Sequence, residues 1–267
     1  MLVHFGLENL RAEWQSCTAV IGTFDGVHLG HQAVLRRAVE VARAQEQPAI
    51  VVTFDRHPAA VLAPERCPDS LGTLEQNVIA LRAQGLSLCL IMPFTADLAN
   101  WSAEQFFSEV LVKGVRANRV VVGHDFGFGF GREGNAEWLQ PRVETHVMPP
   151  QEVGGVRISS TEIRRLILSG LVDQVPGLLG RAYRMAGIVV PGQKLGRELG
   201  YPTVNVARSM RSIVPLDGVY AGRCRTPQGE FGAAISVGLT GSPRRSAPAS
   251  TPNSGVRNVN ACSVVAR

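Results

Sequence analysis

Between Cys17 and Phe54 the hydrophobic pattern changes period twice, and no other stretch restricts the fold as much. Cys17–Ile21 is a continuous apolar run that stops at Gly22-Thr23-Phe24-Asp25-Gly26. After His31, the residues Val34, Leu35, Ala38, Val39, Val41 and Ala42 recur at close to a helical period, with Arg36, Arg37, Glu40 and Arg43 on the other face. Gln47-Pro48 ends that pattern, and Ala49–Phe54 is a second short apolar run. Strand, helix and strand within about 40 residues predict a βαβ unit, and so a parallel sheet with a right-handed crossover. Ligands of such sheets bind at the carboxyl ends of the strands, which is where residues 22–31 fall.

A strand that empties into a helix N-terminus makes an anion site, because free N–H groups and the helix dipole both face the ligand. Gly26 and Gly30 allow phosphate oxygens to approach the backbone. His28 and His31 are three residues apart on one helix face, so both imidazoles can address one bound group. Taken alone, the pair also fits half of a metal site or two half-exposed helix residues. It is neither a Walker A loop nor a G-x-G-x-x-G fingerprint, since G-K-[ST] and the third glycine are missing.

Asp55 and His57 form a second polar cluster where the second strand ends, ahead of Pro58, Pro64 and Pro68. Thr73 opens a helical pattern through Leu74, Val78 and Leu81 that Gly85 closes, and residues 86–92 form a central strand with Cys89 as a core residue. Another helix starts near Ser102 and buries Phe106, Phe107, Val110 and Leu111. The strand ending at Gly123 runs into an alternation of glycine and phenylalanine, residues 124–132, too glycine-rich for a good strand. Such a loop either holds aromatic rings against a flat ligand or plugs the core with them. Ser159 with Glu162 is a capping box that starts a helix, with an arginine face and a stop at Gly170. Beyond residue 180, short strands punctuated by glycines predict a small all-β unit, sandwich or barrel.

The 267 residues carry 45% hydrophobic and 18% charged side chains, which fits a folded soluble chain rather than a disordered one. The first residues lack the pattern of a signal peptide, and no apolar run approaches the ~18 residues of a membrane span. Five scattered cysteines without a C-x-x-C pair read as free thiols in a reducing, cytoplasmic compartment. The net charge of +5 raises the question of nucleic acid, but Arg244, Arg245, Arg257 and Arg267 follow the last acid, Glu230, and without them the charge is +1. The basicity therefore belongs to the tail, and nucleic-acid binding is not expected of the folded part.

The stretch G-T-F-D-G-V-H-L-G-H resembles the G-x-F-D-G-x-H-x-G-H signature of the bacterial bifunctional riboflavin kinase/FAD synthetases, and H-x-G-H more broadly marks nucleotidylyltransferases. V-G-H-D-F-G-F-G is similar to that family's second motif, and I-S-S-T-E-I-R to its third. The resemblance implies a Rossmann-like adenylyltransferase domain, 1–180, that moves AMP from ATP to FMN with Mg²⁺. It implies His28, His31 and Arg164 as catalytic residues. Gly22, Phe24, Asp25, Gly26, Gly30, Ser159, Ser160 and Thr161 would bind ATP, and Asp55, His57, Asp125, Phe126 and Phe128 the flavin. G-R-E-L-G-Y-P-T-V-N with P-L-D-G-V-Y-A-G resembles the riboflavin kinase module, in which Thr203 and Asn205 would hold ATP phosphates and Mg²⁺. That resemblance stops near Gly238. The family's acidic strand and closing helix are replaced by Arg, Ser and Pro, which we read as a shifted reading frame or a truncation. The expectation is a partial kinase barrel at 181–238 with an unpaired edge, a disordered tail at 239–267, and riboflavin kinase activity lost or impaired. Two other readings stay open: a different H-x-G-H enzyme, of the phosphopantetheine or cytidylyl type, and a non-catalytic nucleic-acid binder acting through the tail.

Overall fold

The computed structural model describes residues 1–8, 10, 13–191, 204–207, 211–226 and 229–238, together with the backbone of two strands at 258–260 and 264–266. The chain forms two compact units, Met1–Ser70 with Leu74–Ser160, and Leu71–Thr73 with Thr161–Arg267. Among the described residues no helix is long and apolar enough to cross a membrane.

The first unit runs β1 (Leu2–Phe5), β2 (Cys17–Ile21), α1 (Leu29–Ala44), β3 (Ala49–Phe54), α2 (Ala59–Leu62), α3 (Leu74–Arg82), β4 (Leu88–Met92), α4 (Ala96–Ala99) and α5 (Ala103–Phe106). A π-helix, Phe107–Gly114, continues α5. Then follow β5 (Ala117–Gly123), β6 (Gly127–Phe128), β7 (Gly134–Asn135), α6 (Ala136–Leu139), β8 (Glu144–Met148), and a small hairpin of β9 (Glu152–Val153) and β10 (Val156–Arg157). Six strands form one parallel sheet in the order β1-β4-β3-β2-β5-β8. This is the predicted α/β class.

Period-two alternation sends neighbouring strand residues to opposite faces. Cys17, Ala19, Ile21, Ile50 and Val52 pack with Phe106, Val110 and Leu111, whereas Val20 and Val51 pack with Leu35, Ala38, Val39 and Ala42 of α1. Both faces are therefore covered, and β2 and β4 are buried at every residue. Burying each such Val, Leu or Ile contributes about 1.5–3 kcal/mol, against the ~1 kcal/mol that strand propensity spans, so the apolar pattern decides the fold. The edge strands β1 and β8 keep most of their residues at least partly exposed, which is why no clear pattern marks them in the sequence. After β2 the chain steps to β3 and β4 on one side, while β5 and β8 lie on the other. The order reverses between β2 and β5, and the crevice at their carboxyl ends is the place for a ligand.

The second unit holds most of α7 (Ser160–Leu168), α8 (Val175–Leu179), β11 (Arg184–Met185), β12 (Ile188–Val190), β13 (Asn205–Ala207), β14 (Gly218–Thr226), β15 (Gly229–Gly238), β16 (Asn258–Asn260) and β17 (Val264–Ala266). Its sheet is antiparallel, in the order β11-β17-β14-β15-β16-β13-β12. The compact-unit boundary differs from the expected break at 180. The end of α7 is tied to the β region: Leu216 N–H donates to the Ile167 carbonyl at 3.4 Å, and Gly170 lies against Tyr220 and Leu216. Within the stretch 239–267, expected to be a disordered tail beside an unpaired edge, the structure describes β16 and β17. The β14–β15 hairpin has open hydrogen-bonding edges, and the valine-containing segments at 258–260 and 264–266 pair along both.

Candidate functional site

The turn after β2 has unusual backbone geometry. Phe24 (φ +47°) and Val27 (φ +40°) are left-handed, as is Gly26 (φ +76°). Two non-glycine residues in that region, one of them β-branched, cost roughly 1–3 kcal/mol each, so the surroundings must hold them there. Side chains from several elements help to do so. The Thr53 hydroxyl on β3 donates to the Thr23 carbonyl at 3.3 Å, and Ser160 Oγ at the start of α7 donates to the Asp25 carbonyl at 3.3 Å. Gln32 Nε2 on α1 donates to the Val27 carbonyl at 3.0 Å, and Asn77 Oδ1 on α3 accepts from Gly26 N–H at 3.0 Å. The Gly26 N–H expected to face phosphate is thus bonded within the protein. Gly22 and Gly30 sit in tight packing: a Cβ on Gly22 would lie 3.1 Å from the Phe24 ring, and one on Gly30 3.2 Å from the His28 ring. Asp25 is buried in the turn.

His28 caps α1. Its Nδ1 accepts from His31 N–H at 3.2 Å, which in the neutral form of the ring leaves the proton on Nε2. The two imidazoles stack, 3.6 Å between centroids and 16° between planes, and Phe24 meets His31 edge-on at 5.2 Å. His31 Nδ1 is buried with no hydrogen-bond partner among the described residues. Burial first, and then the charge of His28, push the His31 pKa well below the ordinary 6.5. No acidic residue occupies the first turn of α1 to offset the positive end of its dipole.

A histidine with a lowered native pKa takes up a proton on unfolding. Its effect is absent above pH 6.5 and grows as the pH falls below that value, destabilising the native state. Melting temperatures measured from pH 7.5 to 5 are therefore expected to fall more steeply for the parent than for His31→Gln; parallel curves refute this.

The residues expected on the flavin side divide into two groups. Asp55 ties the carboxyl end of β3 to the chain after β4: Oδ1 accepts from Phe94 N–H at 2.8 Å, and Oδ2 pairs with Arg56 at 2.7 Å. Desolvation would raise its pKa, but Arg56 and the Phe94 N–H outweigh that and keep it below the usual carboxylate range. His57 Nδ1 accepts from Ala59 N–H at 3.1 Å, at the start of α2. Asp125 is exposed where β5 ends; its carboxylate meets Arg157 of the β9–β10 hairpin at 3.1 Å, and the same guanidinium lies 2.9 Å from His124 Nε2.

Of the rings in the glycine–phenylalanine alternation, Phe128 is buried in the core, while Phe130 is exposed. Phe128 is buried among Phe106, Phe126 and Trp138, stacked on Phe126 at 5.4 Å. The glycines around it permit close packing: a Cβ on Gly134 would lie 2.6 Å from the Phe128 ring, and one on Gly129 2.6 Å from Ala103 N. The Phe128 ring, expected on the flavin side, packs into the core of the first unit. Phe126 packs only partly against that core.

Ser159 and Ser160 precede and open α7, and Ser160 is the residue of the third motif that touches the His turn. Thr161 and Arg164 follow in the second unit; Thr161 is exposed and Arg164 half-buried. Asn205 begins β13, where it pairs with Val190, whereas Thr203 lies outside the described residues. Among the described residues no group of three or more His, Cys, Asp or Glu could hold a metal ion. Sequence reasoning missed Thr53, Gln32 and Asn77. Gln32 adjoins the motif, and Asn77 carries a faint signal as a poor helix former inside a helix.

Residues 10–162 match the family described as FAD synthetase, and residues 179–249 match that described as riboflavin kinase, past the point near Gly238 where the resemblance was expected to end. The bifunctional riboflavin kinase/FMN adenylyltransferase of Pseudomonas fluorescens is 40% identical over 220 residues, 80% of this chain and 70% of that protein. Its counterpart in Escherichia coli K12 is 36% identical over 222 residues, 81% and 71% of the two chains. Among solved structures, a protein from Streptococcus pneumoniae titled a macrolide-efflux protein superposes with a TM-score of 0.83 at 29% identity, covering 98% of this chain and 84% of its own.

Proposed function

The chain belongs to the bifunctional riboflavin kinase/FMN adenylyltransferase family, and from that premise we propose that its parallel-sheet unit makes FAD through the residues 22–31 turn. An oxygen of the FMN phosphate attacks the α-phosphorus of ATP, a new P–O bond forms, and the bond to the β-phosphate breaks to release pyrophosphate. The nucleophile is already ionised, so the protein need not activate it. Its task is to align two polyanions and to stabilise charge on the departing group.

One observation carries this reading: a stacked pair of histidines at the N-terminus of α1, with His28 Nδ1 engaged by the His31 N–H. With the positive end of the α1 dipole, it sets imidazoles beside the place where the sheet order reverses. Arg164 is assigned as the phosphate cation on its motif alone, and Asp125, Phe126, Asp55 and His57 are kept as candidates for the flavin side. Mg²⁺ is proposed to enter bound to the ATP phosphates, as is common when a protein supplies few carboxylates. The intended compartment is the cytoplasm, where ATP and FMN are available.

The test is direct. Purified chain with FMN, ATP and Mg²⁺ is expected to give FAD and pyrophosphate by chromatography; FMN left unchanged under these conditions would reject the reading.

A further inference from the structure

We propose that Asn77 is a positioning residue for adenylyl transfer, acting through the backbone of the His28–His31 turn; this rests on the reading of that turn as the FAD-forming site. Asn77 lies on α3, 51 residues from its partner in sequence, and its Oδ1 takes the Gly26 N–H at 3.0 Å. Gly26 stands between the two strained residues of the turn, Phe24 at φ +47° and Val27 at φ +40°. Of the four clamps on this turn, Asn77 is the one whose side-chain oxygen accepts from the turn's backbone; the other three donate to turn carbonyls.

That difference matters for a phosphate site. A free N–H at Gly26 would be drawn to the nearest phosphate oxygen and would pull the flexible peptide with it. Capturing it with Asn77 fixes the Asp25–Gly26 peptide before any ligand arrives. The same fixed peptide sets where α1 begins, and so where the His28 ring stacks on His31. The hydrogen-bond geometry assigns the oxygen of the amide to Gly26, which leaves Nδ2 as a donor with no protein partner among the described residues. Asn77 contributes preorganisation: it is needed for the geometry of transfer rather than for holding FMN.

Three variants and two measurements test this. Asn77→Ala is expected to lower kcat for FAD formation about 10-fold, the scale of one net hydrogen bond plus released strain, with KM for FMN unchanged. Asn77→Asp keeps the acceptor and is expected to restore kcat towards the parent value while raising KM for ATP, because it adds negative charge beside the phosphates. Asn77→Leu keeps the bulk without an acceptor and is expected to behave as Asn77→Ala. Hydrogen exchange at the Gly26 amide provides a readout that needs no activity: slow in parent and Asn77→Asp, faster in the other two. Unchanged kcat in Asn77→Ala, equal losses in Ala and Asp variants, or unchanged Gly26 exchange each overturn the proposal. A parent chain that makes no FAD would sink the functional reading, while the exchange data would still judge the clamp.

Discussion

His28→Ala and His31→Ala are each expected to reduce FAD formation about 100-fold while leaving FMN binding within a few-fold of the parent. Removing one preorganised donor to a developing anion costs ~3 kcal/mol in the transition state, which converts to that factor. Ground-state binding of FMN draws on other groups, so the loss falls on kcat. The histidines are not equivalent, and the structure says how they differ. His28 also caps α1, and losing a cap costs about 0.5–2 kcal/mol of stability. His28→Asn separates the two roles, because asparagine caps a helix as well as any residue and has no imidazole. It is expected to melt close to the parent yet remain about 100-fold slow. His31 has no such structural bond through its ring, since its Nδ1 is buried without a partner among the described residues. His31→Ala is therefore expected to cost activity without a capping penalty. Turnover equal to the parent in either alanine variant, at saturating FMN and ATP, would remove the pair from the mechanism.

How much of this was legible depended on whether a signal was local. The βαβ start could be read because β2 and β3 are buried at nearly every residue and α1 alternates faces at helical period. The histidine pair could be read as a phosphate site because Gly22, Gly26, Gly30 and both histidines lie within ten residues. What escaped was long-range. Asn77 and Ser160 reach the turn from 51 and 135 residues away, and only the folded sheet brings them there. The strand β8 escaped because none of its residues is buried, so its apolar pattern is diluted. Phe128 was open to two readings on sequence because a ring between glycines suits a ligand or a core equally; Trp138 and Phe106, which pack against it, come from elsewhere in the chain.

The 267-residue chain is expected to convert riboflavin to FMN at least ~100-fold more slowly than it makes FAD, the scale lost when general-base catalysis is impaired. Phosphorylating a neutral hydroxyl differs from adenylyl transfer in needing a group to take the hydroxyl proton. Downstream of Thr203 the sequence offers two acids, Asp217 and Glu230. Glu230 is a poor base: Arg225 and Arg223 hold its carboxylate at 3.4 and 2.5 Å, and the Arg225 hydrogen bond followed by the Arg223 charge lowers its pKa. A carboxylate bound to two guanidiniums has both less proton affinity and less freedom to meet a substrate. Asp217 is the remaining candidate. Burial, and then the Asp217 charge, raise the pKa of Tyr220, whose hydroxyl is committed to the Leu216 carbonyl at 2.6 Å. That hydroxyl is therefore a donor already in use and no substitute base. ATP-dependent FMN formation, followed by chromatography beside FAD formation, tests the expectation. Rates of FMN and FAD formation that match would overturn it, and Asp217→Asn would then show whether that carboxylate is the base, since its loss should abolish FMN formation and leave FAD formation from supplied FMN intact.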